Sequence, residues 1–385
     1  MVVVLLGAAA LFFMVLATHP FITYPLSLRF LKRRKRALPT VRPRPTPPRL
    51  AVCMCAYNEE ACIERKMVNL LELRERRGQL DILIYVDGSS DRTAMLLAPF
   101  ADRATIIVSA GRHGKTHGMN LLVAASKADI IVFTDANVLI DPAAIDALAR
   151  PFRDPEIGCV CGHLVYTNGA ATATAKVGSL YWRLEELVKR FESGLGAVMG
   201  ADGSLFAVRR RLHRPVPVWL IDDMFVSLSI LCDGYRVVRA EDAMAYEASV
   251  TAPAEEFRRK IRISCQAFNV HRVLWPRLRR LPALILYLYL SHKLLRWLSG
   301  FSLSVSAACT GTVLILLGVP PVSVVAAAAG GIATLWLAAR YQWRPWAAIG
   351  EILAALAGAA AGVVQSLRGR TFQIWTPAAS IRRGE

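Results

Sequence analysis

Asp135 and Asn137 stand two residues apart at the end of an apolar run, "IIVFTDANV". Two oxygen-bearing side chains at that spacing, on a turn after a strand, can reach one hard cation. Mg²⁺ takes only one or two protein oxygens and completes its shell with phosphate and water. Upstream, "VDGSSDRT" (86–93) sets Asp87 before a flexible glycine, and "GRHGKTHGMN" (111–120) puts Arg112 and Lys115 on a glycine-rich loop fit to approach a diphosphate. Downstream, "WLIDDMF" brings Asp222 and Asp223 to the start of an apolar helix, the end of the helix dipole that carboxylates favour. Each string alone also reads as an ordinary turn, helix cap or solvated basic loop.

The elements around these residues alternate. "LAVCMCAY", "DILIYVD", "ATIIVSA" and "DIIVFTD" are short apolar runs separated by helical stretches such as "EEACIERKMVNLLELRERRG". That pattern predicts βαβ units and a parallel sheet. Ligands of such sheets bind beyond the carboxyl ends of the strands. The "AYNEE" turn, Asp87 and Asp135 all fall there, so three strand ends converge on one crevice.

Hydrophobic residues make up 54% of the 385, concentrated in 1–31 and from about 281 to 367. "MVVVLLGAAALFFMVLA" lacks a basic start and a cleavage site and reads as an uncleaved anchor. "LSGFSLSVSAACTGTVLILLGV" and "VSVVAAAAGGIATLWLAA" are each about long enough to span. "PALILYLYL" is too short and suggests an interfacial helix. The net charge of +18 would suit nucleic acid, but its clusters, Lys32 to Arg36 and Arg258 to Arg280, flank the apolar segments. That is the positive-inside signature, so membrane lipids and not nucleic acid are the expected partner. It also predicts an outside N-terminus, a cytoplasmic domain and a cytoplasmic tail carrying Arg368, Arg370, Arg382 and Arg383. The eight cysteines form no CxxC pair and read as free thiols. The predicted organisation is an anchor (1–31), a basic, proline-rich linker (32–49), a cytoplasmic catalytic domain (50–256), basic amphipathic interfacial helices (257–297), a C-terminal membrane region (298–367) and a tail (368–385). The stretch 346–367 is expected to be re-entrant or interfacial.

The ordered set "AYNEE", "DGSSDRT", "GRHGKTHGMN", "FTDAN", "YWRLEE", "GADGSLFAVRR", "DD" with "DGYRVV", and "EFRRKIR" resembles the family 2 nucleotide-sugar glycosyltransferases, and within them the membrane-anchored polysaccharide-synthase-like branch. The resemblance covers about residues 50–280. It implies an α/β, GT-A-type nucleotide-diphospho-sugar fold flanked by transmembrane helices. It assigns Tyr57, Asn58, Glu59, Asp87, Arg112, Lys115, Asn120 and Asp135 to the donor, and Asp223 to the catalytic base, with Asp222 as the fallback. It makes Asp135 and Asn137 the ligands of a divalent cation, Mg²⁺ or Mn²⁺. Asn137 departs from the aspartate of the family motif and removes one negative charge. Tyr181, Trp182, Asp202, Asp222, Arg259, Arg262 and Trp375 would lie on the acceptor or product side.

The implied activity is inverting transfer of a sugar from a nucleotide-diphosphate sugar, UDP-linked as a family expectation, to a lipid-linked or saccharide acceptor at a bacterial inner membrane. A polyprenyl-phosphate sugar synthase, a processive polysaccharide synthase and an inactive scaffold or transporter are the alternatives. Processive members carry Gln-x-x-Arg-Trp. Here Arg259 replaces the glutamine and Ile263 the tryptophan, which predicts a short or lipid-linked product.

Overall fold

The fold comes from a computed structural model that describes residues 1–31, 48–167, 173–248, 253–341, 343 and 346–374. Side chains of residues 173–181 lie outside the description, as do the linker 32–47 and the tail from Trp375.

Two helices lead the chain, α1 (Val2–Thr18) and α2 (Thr23–Phe30), bent 66° to one another. The catalytic domain then runs β1 (Leu50–Ala56), α3 (Ile63–Arg77), β2 (Leu80–Asp87), α4 (Thr93–Leu97), β3 (Thr105–Ser109), α5 (Lys115–Ala125), β4 (Ile130–Asp135), β5 (Leu139–Ile140), α6 (Ala144–Ala149), β6 (Ile157–Tyr166), α7 (Ala173–Leu195), β7 (Leu205–Arg209), α8 (Asp222–Cys232) and β8 (Arg236–Glu247). These strands form one eight-stranded sheet of order β3-β2-β1-β4-β7-β6-β8-β5. β3, β2, β1 and β4 are parallel, as the alternation predicted. β7 enters antiparallel beside β4.

The register places the crevice. Cys55 is level with Asp135 and Ala56 with Val86, so β1, β2 and β4 end together. Both sheet faces are covered, which is why these strands are buried throughout and apolar without a polar alternate. Cys53, Cys55, Phe133, Cys159 and Cys161 belong to one layer with Met119 and Leu228, whereas Val52, Met54, Ile82 and Val132 belong to the other with Met67 and Leu70. Alternation along the strands thus buries the paired cysteines on one face, and all eight cysteines are free.

Beyond the sheet come α9 (Pro253–Leu278), α10 (Ala283–Tyr289), α11 (Leu295–Leu316), α12 (Pro321–Tyr341) and α13 (Trp346–Leu367). α10 does not stop as a separate interfacial helix. A π-helical turn, Leu290–Leu294, carries it into α11, and Ala283–Leu316 forms one apolar stretch long enough to cross a membrane. Ser291, His292 and Lys293 are accommodated within the π-helical turn without breaking the helix. Pro321–Ala338 and Trp346–Leu367 are also long and apolar enough to cross, and α1 with α2 makes a fourth candidate if the bent pair counts as one span. α13 lies along α9: a Cβ at Gly362 would meet Ile261 O at 2.6 Å, and one at Gly358 would meet the Phe257 ring at 3.3 Å.

Candidate active site

At the crevice, Lys115 Nζ, from the first turn of α5, lies 2.6 Å from Asp135 Oδ1 at the end of β4. Burial works against a charged Lys115. Asp135, Asp222 and Asp223 outweigh it and raise its pKa above the ordinary lysine value. Lys115 thus stays a cation at the crevice.

Asp223 stands opposite, in the first turn of α8. A Cβ at Gly203 would fall 2.8 Å from Asp223 Oδ2 and 3.4 Å from Lys115 Nζ, so glycine is what lets the 200–204 loop pass between them. Asp223 Oδ1 accepts the Met224 N–H at 2.5 Å. Burial first, then the neighbouring Asp222 charge, push its pKa up to about 7. A carboxylate so tuned is a proton acceptor near neutral pH. Asp222 is buried, and its Oδ2 has no hydrogen-bond partner among the described residues.

The donor-side turns are knotted together. Asp87 is fully buried and accepts the backbone N–H groups of His113 (2.7 Å) and Gly114 (3.0 Å), which fixes the glycine-rich loop. Arg112 lies 3.9 Å from Asp87 and stacks over the Tyr57 ring at 3.4 Å. Asn58 adopts φ 52°, and its Oδ1 accepts the Ser90 N–H at 2.8 Å. The Glu59 N–H donates to Thr93 Oγ1 at 2.8 Å. Asn58 and Glu59 therefore staple "AYNEE" to "DGSSDRT". Asn120 braces a different junction. Its amide both donates to and accepts from the Val216 backbone, at 2.8 and 2.9 Å, which fastens α5 to the segment before α8.

The cation ligands expected from the sequence meet a residue that the sequence reading missed. Asn137 Nδ2 donates to Glu247 Oε1 at 2.9 Å. Glu247 ends β8, and nothing in its local sequence marks it; the antiparallel pairing of β5 with β8, Leu139 opposite Tyr246, brings it beside Asn137. Burial raises its pKa to about 7, Arg259 opposes this, and Asp135 adds to it. Asp135, the Asn137 amide and Glu247 bring hard oxygen ligands to one place, the donor chemistry that fits a divalent cation completed by phosphate oxygens. Among the described residues no three His, Cys, Asp or Glu side chains form a metal cage by themselves.

On the acceptor side, Asp202 Oδ1 accepts Ser204 Oγ–H at 3.2 Å, and its Oδ2 lies 3.7 Å from Lys189 Nζ. Lys189 also sits 4.9 Å over the Trp182 ring, and Trp182 Nε1 donates to Leu164 O at 3.0 Å. Trp182 is thereby held in the wall with a lysine on its ring. Arg259 pairs with Glu256 at 3.5 Å and is hydrogen-bonded to Tyr166. Burial, then Arg259, lowers the Arg262 pKa to about 10, while Asp135 and Asp223 counter this, so Arg262 lies within the field of both. The side chain of Tyr181, and all of Trp375, fall outside the described residues.

Residues 51–216 match the family model described as Glycosyl transferase family 2. An N-acetylglucosaminyltransferase of Rhizobium meliloti is 24% identical over 257 residues, 62% of this chain and 60% of that protein. The O-antigen chain rhamnosyltransferase RfbN of Salmonella typhimurium is 29% identical over 193 residues, 46% of this chain and 60% of that protein. The chain spans half to about three fifths of the length of such curated relatives. The mannosyltransferase PcManGT of Pyrobaculum calidifontis, solved in complex with GDP-Man and Mn²⁺, superposes with a TM-score of 0.71 at 24% identity, over 95% of this chain and 99% of that one. Its fold is therefore shared along nearly the whole length. The family match thus covers most of the sheet domain, and the fold is the one seen in that mannosyltransferase structure.

Proposed function

We propose that the chain is a membrane-embedded, inverting glycosyltransferase that moves one sugar from a nucleotide-diphosphate sugar to a lipid-linked or saccharide acceptor. The observation that carries this reading is the Asp135–Lys115 pair facing Asp223 across Gly203. A cation for the leaving diphosphate and a base for the acceptor hydroxyl share one crevice. In a single displacement, the acceptor oxygen bonds to the anomeric carbon as the bond to the diphosphate breaks. Asp223 takes the hydroxyl proton. Lys115, with Arg112 and Arg262 nearby, balances charge on the departing diphosphate. Asp135, Asn137 and Glu247 would hold a divalent cation, which as a Lewis acid supplies further stabilisation of that group.

A uracil nucleotide is the donor to test first, with a guanine nucleotide beside it. Ile263 offers no flat ring to a sugar, and Trp182 is engaged by Lys189, so a single or short transfer is favoured over long processive synthesis. Nucleotide release by the full chain in lipid nanodiscs, over a donor panel with Mn²⁺ or Mg²⁺, tests the activity. Lipid-extractable radiolabel would identify the acceptor class, and high-molecular-weight polymer would reject single transfer. No release with any donor would leave the inactive-scaffold reading standing.

A further inference from the structure

Lys66 is fully buried, yet it projects from the face of α3 that otherwise buries Ile63, Met67 and Leu70. Among the described residues no carboxylate forms an ion pair with it. Its ammonium donates to Val138 O and, at 3.2 Å, to Thr134 Oγ1. Thr134 Oγ1 in turn donates to Ser204 O at 2.9 Å. These contacts bracket Asp135 and Asn137: Thr134 precedes them and Val138 follows. Ser204 closes the loop that carries Asp202 and Gly203.

We propose that Lys66 is a positioning residue for the donor-phosphate turn, holding residues 134–138 from beneath and tying them to the loop at 202–204. A lone buried ammonium is costly, and a methionine of similar size would pack in an apolar helix face without that cost. A group kept under such a penalty, with its donors spent on the two ends of a five-residue turn, is explained by what the turn must do. Asp135 is near enough to favour the Lys66 charge. Lys115 approaches the same carboxylate directly from α5. Asp135 is thus set between two lysines, one that meets the donor and one that fixes the backbone on which the carboxylate stands. Burial lowers the Lys66 pKa to about 7, the penalty against which its hydrogen bonds and the nearby Asp135 hold the charge.

This role presupposes that Asp135 serves the donor diphosphate, as proposed above. The test uses the full chain in detergent or nanodiscs. Free Mn²⁺ is measured by electron paramagnetic resonance as protein is titrated, with UDP and, in parallel, GDP present. Thermal unfolding is followed on the same samples. Lys66→Met should weaken nucleotide-dependent Mn²⁺ uptake by about tenfold or more, the scale of losing hydrogen bonds from a charged donor, while Tm stays within a few degrees. Lys66→Gln, which keeps an N–H donor without charge, should fall between the two. Unchanged Mn²⁺ uptake in Lys66→Met overturns the role. So does a large fall in Tm that accounts for the lost uptake, because Lys66 would then be holding the fold and not the turn. Asp135→Ala is the control. If it abolishes uptake and Lys66→Met does not, only the Lys66 role falls. If Asp135→Ala leaves uptake intact, the donor-site reading fails, and Lys66 has nothing to position.

Discussion

Lys115 Nζ stands between two carboxylates, 2.6 Å from Asp135 Oδ1 and across Gly203 from Asp223 Oδ2. The pairing keeps Lys115 charged, and among the described residues Asp223 makes no direct ion pair. A base bound to lysine would be too acidic to accept a proton. On the proposed function, that separation within one crevice would divide the labour between donor and acceptor.

Asp223→Asn should lower kcat by roughly 10²–10⁴-fold, the usual worth of a positioned general base, with donor affinity within about twofold of the unmodified protein. Steady-state nucleotide release and equilibrium binding of the donor analogue separate the two quantities. A loss of affinity as large as the loss of rate would move Asp223 to the binding side.

The pH profile follows from the same group. Asp223 works ionised, and its pKa is pushed up to about 7, so kcat/KM should rise with pH through about 7 and level off above it. Asp222 is one of the causes of that elevation, so Asp222→Asn should shift the acid limb toward lower pH. An unmoved limb in Asp222→Asn would show that the limb belongs to another group.

Gly203→Ala tests the close approach without touching a charged group. The added Cβ would meet Asp223 Oδ2 at 2.8 Å, inside van der Waals contact, and must displace the base or the loop. A misplacement of that size costs on the order of 10²-fold in rate. Because the loop lies at the crevice, Tm should change little. Kinetics and a thermal melt on the same preparation suffice, and unchanged kcat would mean that the loop gives way freely.

Much of this site was legible because its parts end consecutive strands. Asp87, Lys115 and Asp135 lie on units whose order in the sheet follows from βαβ chemistry, and the parallel pairing of β1, β2 and β4 brings them level. Glu247 and Lys66 were not legible, for different reasons. Glu247 reaches Asn137 because β5, two residues beyond Asn137, pairs antiparallel with the end of β8, Leu139 opposite Tyr246, a long-range pairing that no local pattern encodes. Lys66 sits in a helix whose apolar spacing invites a solvent-facing reading of every lysine. Asn58, Glu59 and Asn120 are expected at the donor from motif membership, and the Asn58 side chain, the Glu59 N–H and the Asn120 side chain also brace neighbouring segments. A motif marks that a residue belongs to a local architecture without telling whether it meets the ligand or braces what does.

The C-terminal segment allows a prediction about topology. α13 is long and apolar enough to cross a membrane. Counting it as a span, after an outside N-terminus, α1, α11 and α12, would deliver the chain end to the outside. The packing argues against that count. α13 lies along α9, with Gly362 against the Ile261 carbonyl. Its end is fixed to the catalytic domain: Gln266 Nε2 donates to Phe372 O at 2.9 Å, Asn269 Nδ2 to Arg370 O at 3.0 Å, and Gln373 Nε2 to His113 O at 3.0 Å. Residues 370–373 must therefore share the side of the membrane that the donor loop occupies, in accord with the arginines around them. A single cysteine placed at position 373 in a background lacking other accessible thiols should resist a membrane-impermeant maleimide in intact cells and label after permeabilisation. Labelling in intact cells would make α13 a full span and detach the tail from the donor loop. Gln373→Ala should leave topology unchanged and, by freeing the carbonyl of His113 beside Arg112, raise the donor KM severalfold, on the scale of one hydrogen bond.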